Sequence, residues 1–374
     1  MMGHTATPYP LLPGRLGNPT MTLRDDPRAD PRMLAAMAPL GLADAPPESP
    51  VDSRASLAEL LAFCEAAEPG WEELQDYFMR NLPPVEGVEI DEFKIAGFAG
   101  NEIQLLVHRQ EGVTESQPCI LHLHGGGMAL MSARNSLYDR WRSELAVAGL
   151  VVVGVEFRNA AGKHGPFAFP AGLDDCMTAL RWVVDNKSQL GINGVVVSGE
   201  SGGGNLSLAT ALRAKREGTI SDIAGVYAQC PLVSNRYVDK DLSLASLFEN
   251  DTYGLSCEMI GVMSKVYDPS GDNATNPLAW PLYAECADLE GLPPHMISVN
   301  QLDPLRDEGL AYFRKLLSAG VTASCRTING TNHAAEMLFR SSMPDVYLAT
   351  IHDIKGFADR NCHNTRSGGI VRGN

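Results

Sequence analysis

The chain has 374 residues, 44% of them hydrophobic and 20% charged, enough to bury the core of one large domain or two modest ones. A formal charge of −15 excludes partners that need clustered Lys and Arg, so neither nucleic acid nor an anionic membrane surface is expected. The first 30 residues hold no apolar run of signal-peptide length and no stretch has 18 consecutive apolar residues, which predicts a soluble cytoplasmic protein.

Residues 1–28 are rich in Pro, Gly and Thr without periodicity, so a mobile leading segment is expected there. Residues 29–85 read as helical. "DPRMLAAMAPL" suits one short helix and "SLAELLAFCEAAEPGWEELQDYFMRNL" suits one or two more. In the latter, Ser56 and Glu59 have capping-box spacing, and Leu57, Leu60, Leu61 and Cys64 share a face.

From residue 88 the texture changes to strands. "VEIDEFKIAG" and "EIQLLVHRQ" flank "FAGN", a hairpin signal. The apolar runs "CILHLH", "LVVVGVEF", "GVVVSG", "IAGVYAQC", "HMISVN" and "ASCRTI" then alternate with helical stretches, which predicts βαβ crossovers and a mostly parallel eight-stranded sheet covered on both faces. This α/β core is expected to comprise residues 86–230 and 294–374. The interval 231–293 is too long for an ordinary connection and reads as an insertion. The eight cysteines are scattered without metal-ligand or disulfide spacing and read as reduced core residues.

The stretch "VVVSGESGGGNL" at 195–206 decides the chemistry. Its glycines between a β run and a helix fit either a phosphate cradle or a strained turn under a nucleophile. No Lys follows as a phosphate loop requires, and the third position of a dinucleotide fingerprint is occupied by Ser201. What fits is Gly199-x-Ser201-x-Gly203, a nucleophile elbow.

A serine hydroxyl needs a base, an orienting acid and oxyanion donors. "HGGG" at 124–127 ends the first parallel strand and offers amides free of Cβ interference, with His124 in a structural role. Of nine histidines only His333, in "NGTNHAAE", lies just past the last strand. His4 and His363 are in tails, His108 and His295 are in or beside strands, and His352 is on a C-terminal helix. In "NQLDPLRDEGL", Asp303 directly follows a strand, whereas Asp307 and Glu308 fall inside the next helix and read as capping or surface acids.

Ser201, Asp303 and His333 thus stand in the order Ser, Asp, His at strand ends, the α/β-hydrolase arrangement. With "HGGG", "GESGG" at 199–203, "FPAGLDDCMTALRWV" at 169–183, "LPP" at 292–294 and "DPLRDEG" at 303–309, the chain resembles the hormone-sensitive-lipase-like carboxylesterases over residues 85–355. Glu200, Gly202, Ala334 and Ala335 depart from that family's common Asp, Ala, Gly and Phe, all at positions beside the nucleophile and the histidine.

The resemblance implies oxyanion amides from Gly126, Gly127 and Gly202, with Gly125 and Glu200 in loop support, and a cap made by residues 29–85 and 231–293. It implies a small ester or lactone substrate and no metal or organic cofactor. An amidase, an acyltransferase and a non-catalytic small-molecule receptor remain alternatives, and monomer and homodimer both stay open. Trp71, Phe78, Phe248, Tyr253 and Met263 are available to line the cap's pocket walls.

Overall fold

The computed structural model describes residues 14–18, 20–45 and 49–363. Eight strands form one sheet: β1 (Val88–Ala96), β2 (Glu102–Gln110), β3 (Gln117–Leu123), β4 (Val151–Glu156), β5 (Ile192–Glu200), β6 (Gly225–Gln229), β7 (His295–Asn300) and β8 (Ala323–Ile328). Their order is β1-β2-β4-β3-β5-β6-β7-β8. β2 is antiparallel to both β1 and β4, and every later pairing is parallel.

The central parallel strands β3, β4, β5 and β6 are buried along nearly their whole length because both faces are covered. Ile120, Val152, Val196 and Tyr227 face α3 (Ser136–Val147) and the helix Pro344–His363, where Trp141, Tyr347, Ile354 and Phe357 pack on them. Cys119, Leu121, Val153, Val195 and Val197 face the opposite layer, which includes α4 (Ala171–Asp185) and the helices Gly202–Arg216 and Arg306–Ser318. Each fully buried aliphatic side chain contributes roughly 1.5–3 kcal/mol, so one slip of register would be costly. The parallel direction puts the carboxyl ends of β3, β5, β6, β7 and β8 along one edge, where open α/β sheets bind ligands.

Above that edge lie α1 (Pro31–Met37), α2 (Leu57–Met79) and the helix Cys257–Tyr267. The stretch read as one or two helices is a single helix that accommodates Pro69. It opens with the expected capping box, in which Glu59 takes the Ser56 N–H at 3.0 Å. Among the described residues no helix is long and apolar enough to cross a membrane.

Three readings need correction. Of the segment expected to be mobile, residues 1–13 and 19 lie outside the described residues, but residues 20–28 are packed: Leu23 and Asp26 are buried, and Leu23 joins Met33, Met37 and Tyr253 in one cluster. Cys286 is not a core residue but exposed, because it opens a one-turn helix at the surface. Glu308 is not a surface acid. It is buried and accepts from the Val233 N–H and the Ser234 and Tyr237 hydroxyls, tying the inserted segment to the core.

Candidate active site

Ser201 follows β5 and precedes the helix Gly202–Arg216 with φ 55° and ψ −118°, a conformation that L-residues rarely adopt. Three backbone bonds hold it there. Its N–H donates to the Gln229 carbonyl at 2.9 Å, and its carbonyl accepts from Asn205 at 3.0 Å and Leu232 at 3.1 Å. The flanking glycines are steric requirements: a Cβ on Gly199 or Gly203 would collide with the Leu123 carbonyl.

Asp303 and His333 come from the ends of β7 and β8, thirty residues apart in sequence. The structure brings them together: His333 Nδ1 lies 2.8 Å from Asp303 Oδ2, while Asp303 Oδ1 accepts the Leu305 N–H at 2.9 Å. Asp303 is completely buried. Burial opposes a charge on His333, but the Asp303 carboxylate outweighs it and holds the imidazole's pKa well above its ordinary value. The pair therefore stabilises the imidazolium that forms when a hydroxyl proton is taken. Asp307 does not reach the histidine. It accepts from the Ser246 N–H at 2.8 Å and pairs with Arg306.

The oxyanion candidates sit opposite the elbow. Gly126 has φ 96° and Gly127 φ 63°. A Cβ on Gly202 would stand 2.5 Å from the Met128 nitrogen and 2.7 Å from the Gly127 nitrogen, so the two loops touch backbone to backbone. Among the described residues the Gly126, Gly127 and Gly202 amides have no acceptor. The Gly125 N–H, by contrast, donates to Glu200 at 2.5 Å, and the other Glu200 oxygen faces His122 Nε2 at 3.3 Å. Burial lowers the His122 pKa despite that carboxylate, so the imidazole is a neutral donor. His124 stacks on Phe157 at 4.2 Å with its Nδ1 2.8 Å from the Gly125 carbonyl oxygen.

Ser201, His333 and the loop glycines Gly125, Gly126 and Gly127 line one cavity of about 390 Å³. Its walls are chiefly apolar, with Trp71, Leu74 and Phe78 from α2, Met263 from the helix Cys257–Tyr267, and Met337 and Phe339 beyond the histidine. Phe248 and Tyr253 do not line it. Tyr253 is buried with its hydroxyl 3.1 Å from Asp26, and Phe248 lies under the Lys240 ammonium.

Sequence reasoning missed Cys230. It follows β6 at φ 32°, and its thiol, the Asp303 carboxylate and a His333 ring nitrogen all lie within 4.8 Å of one another. Burial pushes the thiol's pKa up to about 11, so it contacts the imidazole as a neutral group. Its position directly after a parallel strand was the only available signal.

A family model described as the alpha/beta hydrolase fold matches residues 120–337. Carboxylesterase NlhH of Mycobacterium tuberculosis is 34% identical over 236 residues, covering 62% of this chain and 70% of that protein. An arylesterase of Saccharolobus solfataricus is 31% identical over 225 residues, covering 58% and 67%. Among solved structures, brefeldin A esterase, described as a bacterial homologue of human hormone-sensitive lipase, superposes with a TM-score of 0.91 at 41% identity, covering 94% of this chain and 99% of that one.

Proposed function

Because this chain belongs to the α/β-hydrolase family, and is a carboxylesterase within it, we propose that Ser201, His333 and Asp303 hydrolyse neutral, apolar esters or lactones through an acyl-enzyme. The observation that carries this reading is the 2.8 Å His333–Asp303 pair, whose imidazole lines the same cavity as the strained Ser201 and as Gly126 and Gly127, whose amides have no acceptor among the described residues.

Ser201 Oγ attacks the ester carbonyl as His333 Nε2 takes its proton. The Gly126, Gly127 and Gly202 amides receive the oxyanion, and His333 then protonates the leaving alkoxide. Water repeats the cycle on the acyl-enzyme and regenerates Ser201. Asp303 keeps the Nδ1 proton in place, so Nε2 is always the basic nitrogen when the imidazole is neutral. Among the described residues, Glu200 and His333 are the only acidic or basic side chains that line the cavity, which suits an uncharged substrate better than a carboxylate.

The test is a panel of p-nitrophenyl esters, anilides and lactones turned over by the wild type and by Ser201→Ala. Ester turnover should fall by something on the order of 10⁶-fold in the variant. A folded variant that keeps a large share of its activity overturns the assignment, and faster anilide than ester turnover overturns the substrate class.

A further inference from the structure

The segment that carries the oxyanion amides is gripped at both ends by buried carboxylates, and only one of them belongs to the sheet. Glu200, at the end of β5, takes the Gly125 N–H. The other is Glu68, on α2 in the cap. Glu68 is 3% exposed, its Oε1 accepts the Met131 N–H at 2.7 Å, and its Oε2 accepts the Lys163 N–H at 2.7 Å. The Lys163 ammonium turns instead to Glu72, one turn further along α2.

Between these two grips the backbone is unusually strained. Four of the residues 126–131 have positive φ, and two of them are not glycine: Met128 at 59° and Met131 at 76°. Each non-glycine residue held this way costs on the order of 1–3 kcal/mol and persists only where its surroundings over-determine it. Two backbone bonds do part of this, from Ala160 to the Met128 carbonyl at 2.8 Å and from Ala161 to the Ala129 carbonyl at 3.0 Å. Glu68 completes the tie, since one carboxylate holds both Met131 and the 160–163 turn to which Met128 and Ala129 are bonded. Gly162 in that turn has φ 61°, and a Cβ there would press on the Glu68 carboxylate.

We propose that Glu68 is a positioning residue of the oxyanion hole: from the cap it fixes the turn after Gly127 so that the Gly126 and Gly127 amides face the substrate oxygen. This rests on the reading of those amides given under Proposed function. Glu68 does not line the cavity, so removing it deletes no substrate contact. The cap is then part of the catalytic scaffold as well as its roof.

The test compares Glu68→Ala, Glu68→Gln and Glu72→Gln with the wild type on p-nitrophenyl acetate, which is too small to need the cavity walls. A second readout is inhibition by a trifluoromethyl ketone. Ser201 Oγ adds to the ketone carbon, its proton passes to His333, and the resulting hemiketal oxyanion occupies the same amides.

Glu68→Ala should lower kcat roughly tenfold to a hundredfold, as a misplaced donor does, and weaken ketone inhibition by the same factor. KM should stay within about twofold, because only transition-state contacts are lost. Glu68→Gln should recover part of the loss, since its single amide oxygen serves one of the two N–H groups, and Glu72→Gln should match the wild type. Wild-type kcat in folded Glu68→Ala overturns the proposal. So does an equal loss in Glu72→Gln, which would make the effect general cap anchoring. If Glu68→Ala does not fold, Glu68→Gln carries the test: unchanged kcat and ketone inhibition overturn the proposal, and a parallel loss of both supports it. Ser201→Ala separates the two readings, because hydrolysis surviving in it refutes the site, whereas an inert Ser201→Ala beside an unimpaired Glu68→Ala refutes only the clamp.

Discussion

Adding one methyl group at Gly126 and at Gly127 should have different outcomes, and the difference follows from what each Cβ meets. At Gly126 the φ of 96° is itself strained for an L-residue, and the new Cβ would run into the Leu130 carbonyl. That oxygen is backbone in the same turn, which the Leu130 N–H closes onto the Gly126 carbonyl at 3.0 Å. No side chain can yield, so the turn must open and the amide must move. Losing one oxyanion donor raises the barrier by about 2.7–4 kcal/mol, so Gly126→Ala should lower kcat roughly 10²- to 10³-fold. At Gly127 the φ of 63° is ordinary left-handed backbone, and the Cβ collides first with the Met263 Sδ, the far end of a flexible side chain, with the Met263 Cβ at 3.0 Å and Cγ at 3.2 Å. Methionine can turn aside, so Gly127→Ala should cost only about tenfold, and Met263→Ala in the same chain should return part of that loss. The assay is kcat and KM on p-nitrophenyl acetate beside a thermal melt of each variant. A folded Gly126→Ala with kcat near wild type refutes the steric reasoning, and a double variant whose losses simply multiply refutes the Met263 contact.

Four further outcomes are expected. His333→Ala should be nearly as damaging as Ser201→Ala, Asp303→Asn somewhat less so, and Asp307→Asn nearly silent in kcat; a crippled Asp307→Asn would mean that the wrong acid has been assigned. Because Asp303 raises the His333 pKa above the ordinary 6.5 and only neutral imidazole is a base, the acid limb of kcat/KM should lie above that pH and move down in Asp303→Asn; an unmoved limb contradicts the coupling. Burial raises the Glu308 pKa from 4.5 to about 7 against the pull of Ser234, Val233 and Tyr237. Native protein therefore holds a proton that unfolded protein has released, and this contribution, complete below pH 4.5, is lost as pH rises through about 7, a slope in denaturant stability that Glu308→Gln should flatten. Trp71→Ala should raise KM for a bulky apolar ester by roughly tenfold through lost burial yet spare p-nitrophenyl acetate, with Phe248→Ala as an inert control; equal effects on both esters would deny the cap a role in selection.

The strands and the candidate reacting residues were legible for the same reason. A parallel strand buried on both faces is a continuous apolar run and the leading hairpin is marked by its turn, so the strands stand out, and β2, β7 and β8 match their runs residue for residue. The chemistry of such a fold gathers at the carboxyl ends of its strands, so the few residues after β5, β7 and β8 are where Ser201, Asp303 and His333 are found. The elbow is equally local: glycine two before and two after a serine records a clash with the Leu123 carbonyl that any side chain would cause.

What stayed hidden depends on partners far along the chain. Glu68 looks like any acid on an amphipathic helix, and its contacts with Met131 and Lys163 span 63 and 95 residues. Glu308 sits one residue from the half-buried Asp307 in sequence, but the helix turn between them points one at Ser246 and the other into the core beside Tyr237. Periodicity could not say that Trp71, Phe78 and Met263 face the cavity while Phe248 and Tyr253 turn away, because the helices above the sheet edge bury apolar groups in several directions. The amino-acid sequence by itself determined the sheet, the order of the strand ends and the residues that could react there, since each is a property of a few neighbouring positions. Only the tertiary structure decided which carboxylates hold the loop and which side chains wall the pocket, because a buried hydrogen bond or an apolar wall exists only once segments many residues apart are brought into contact.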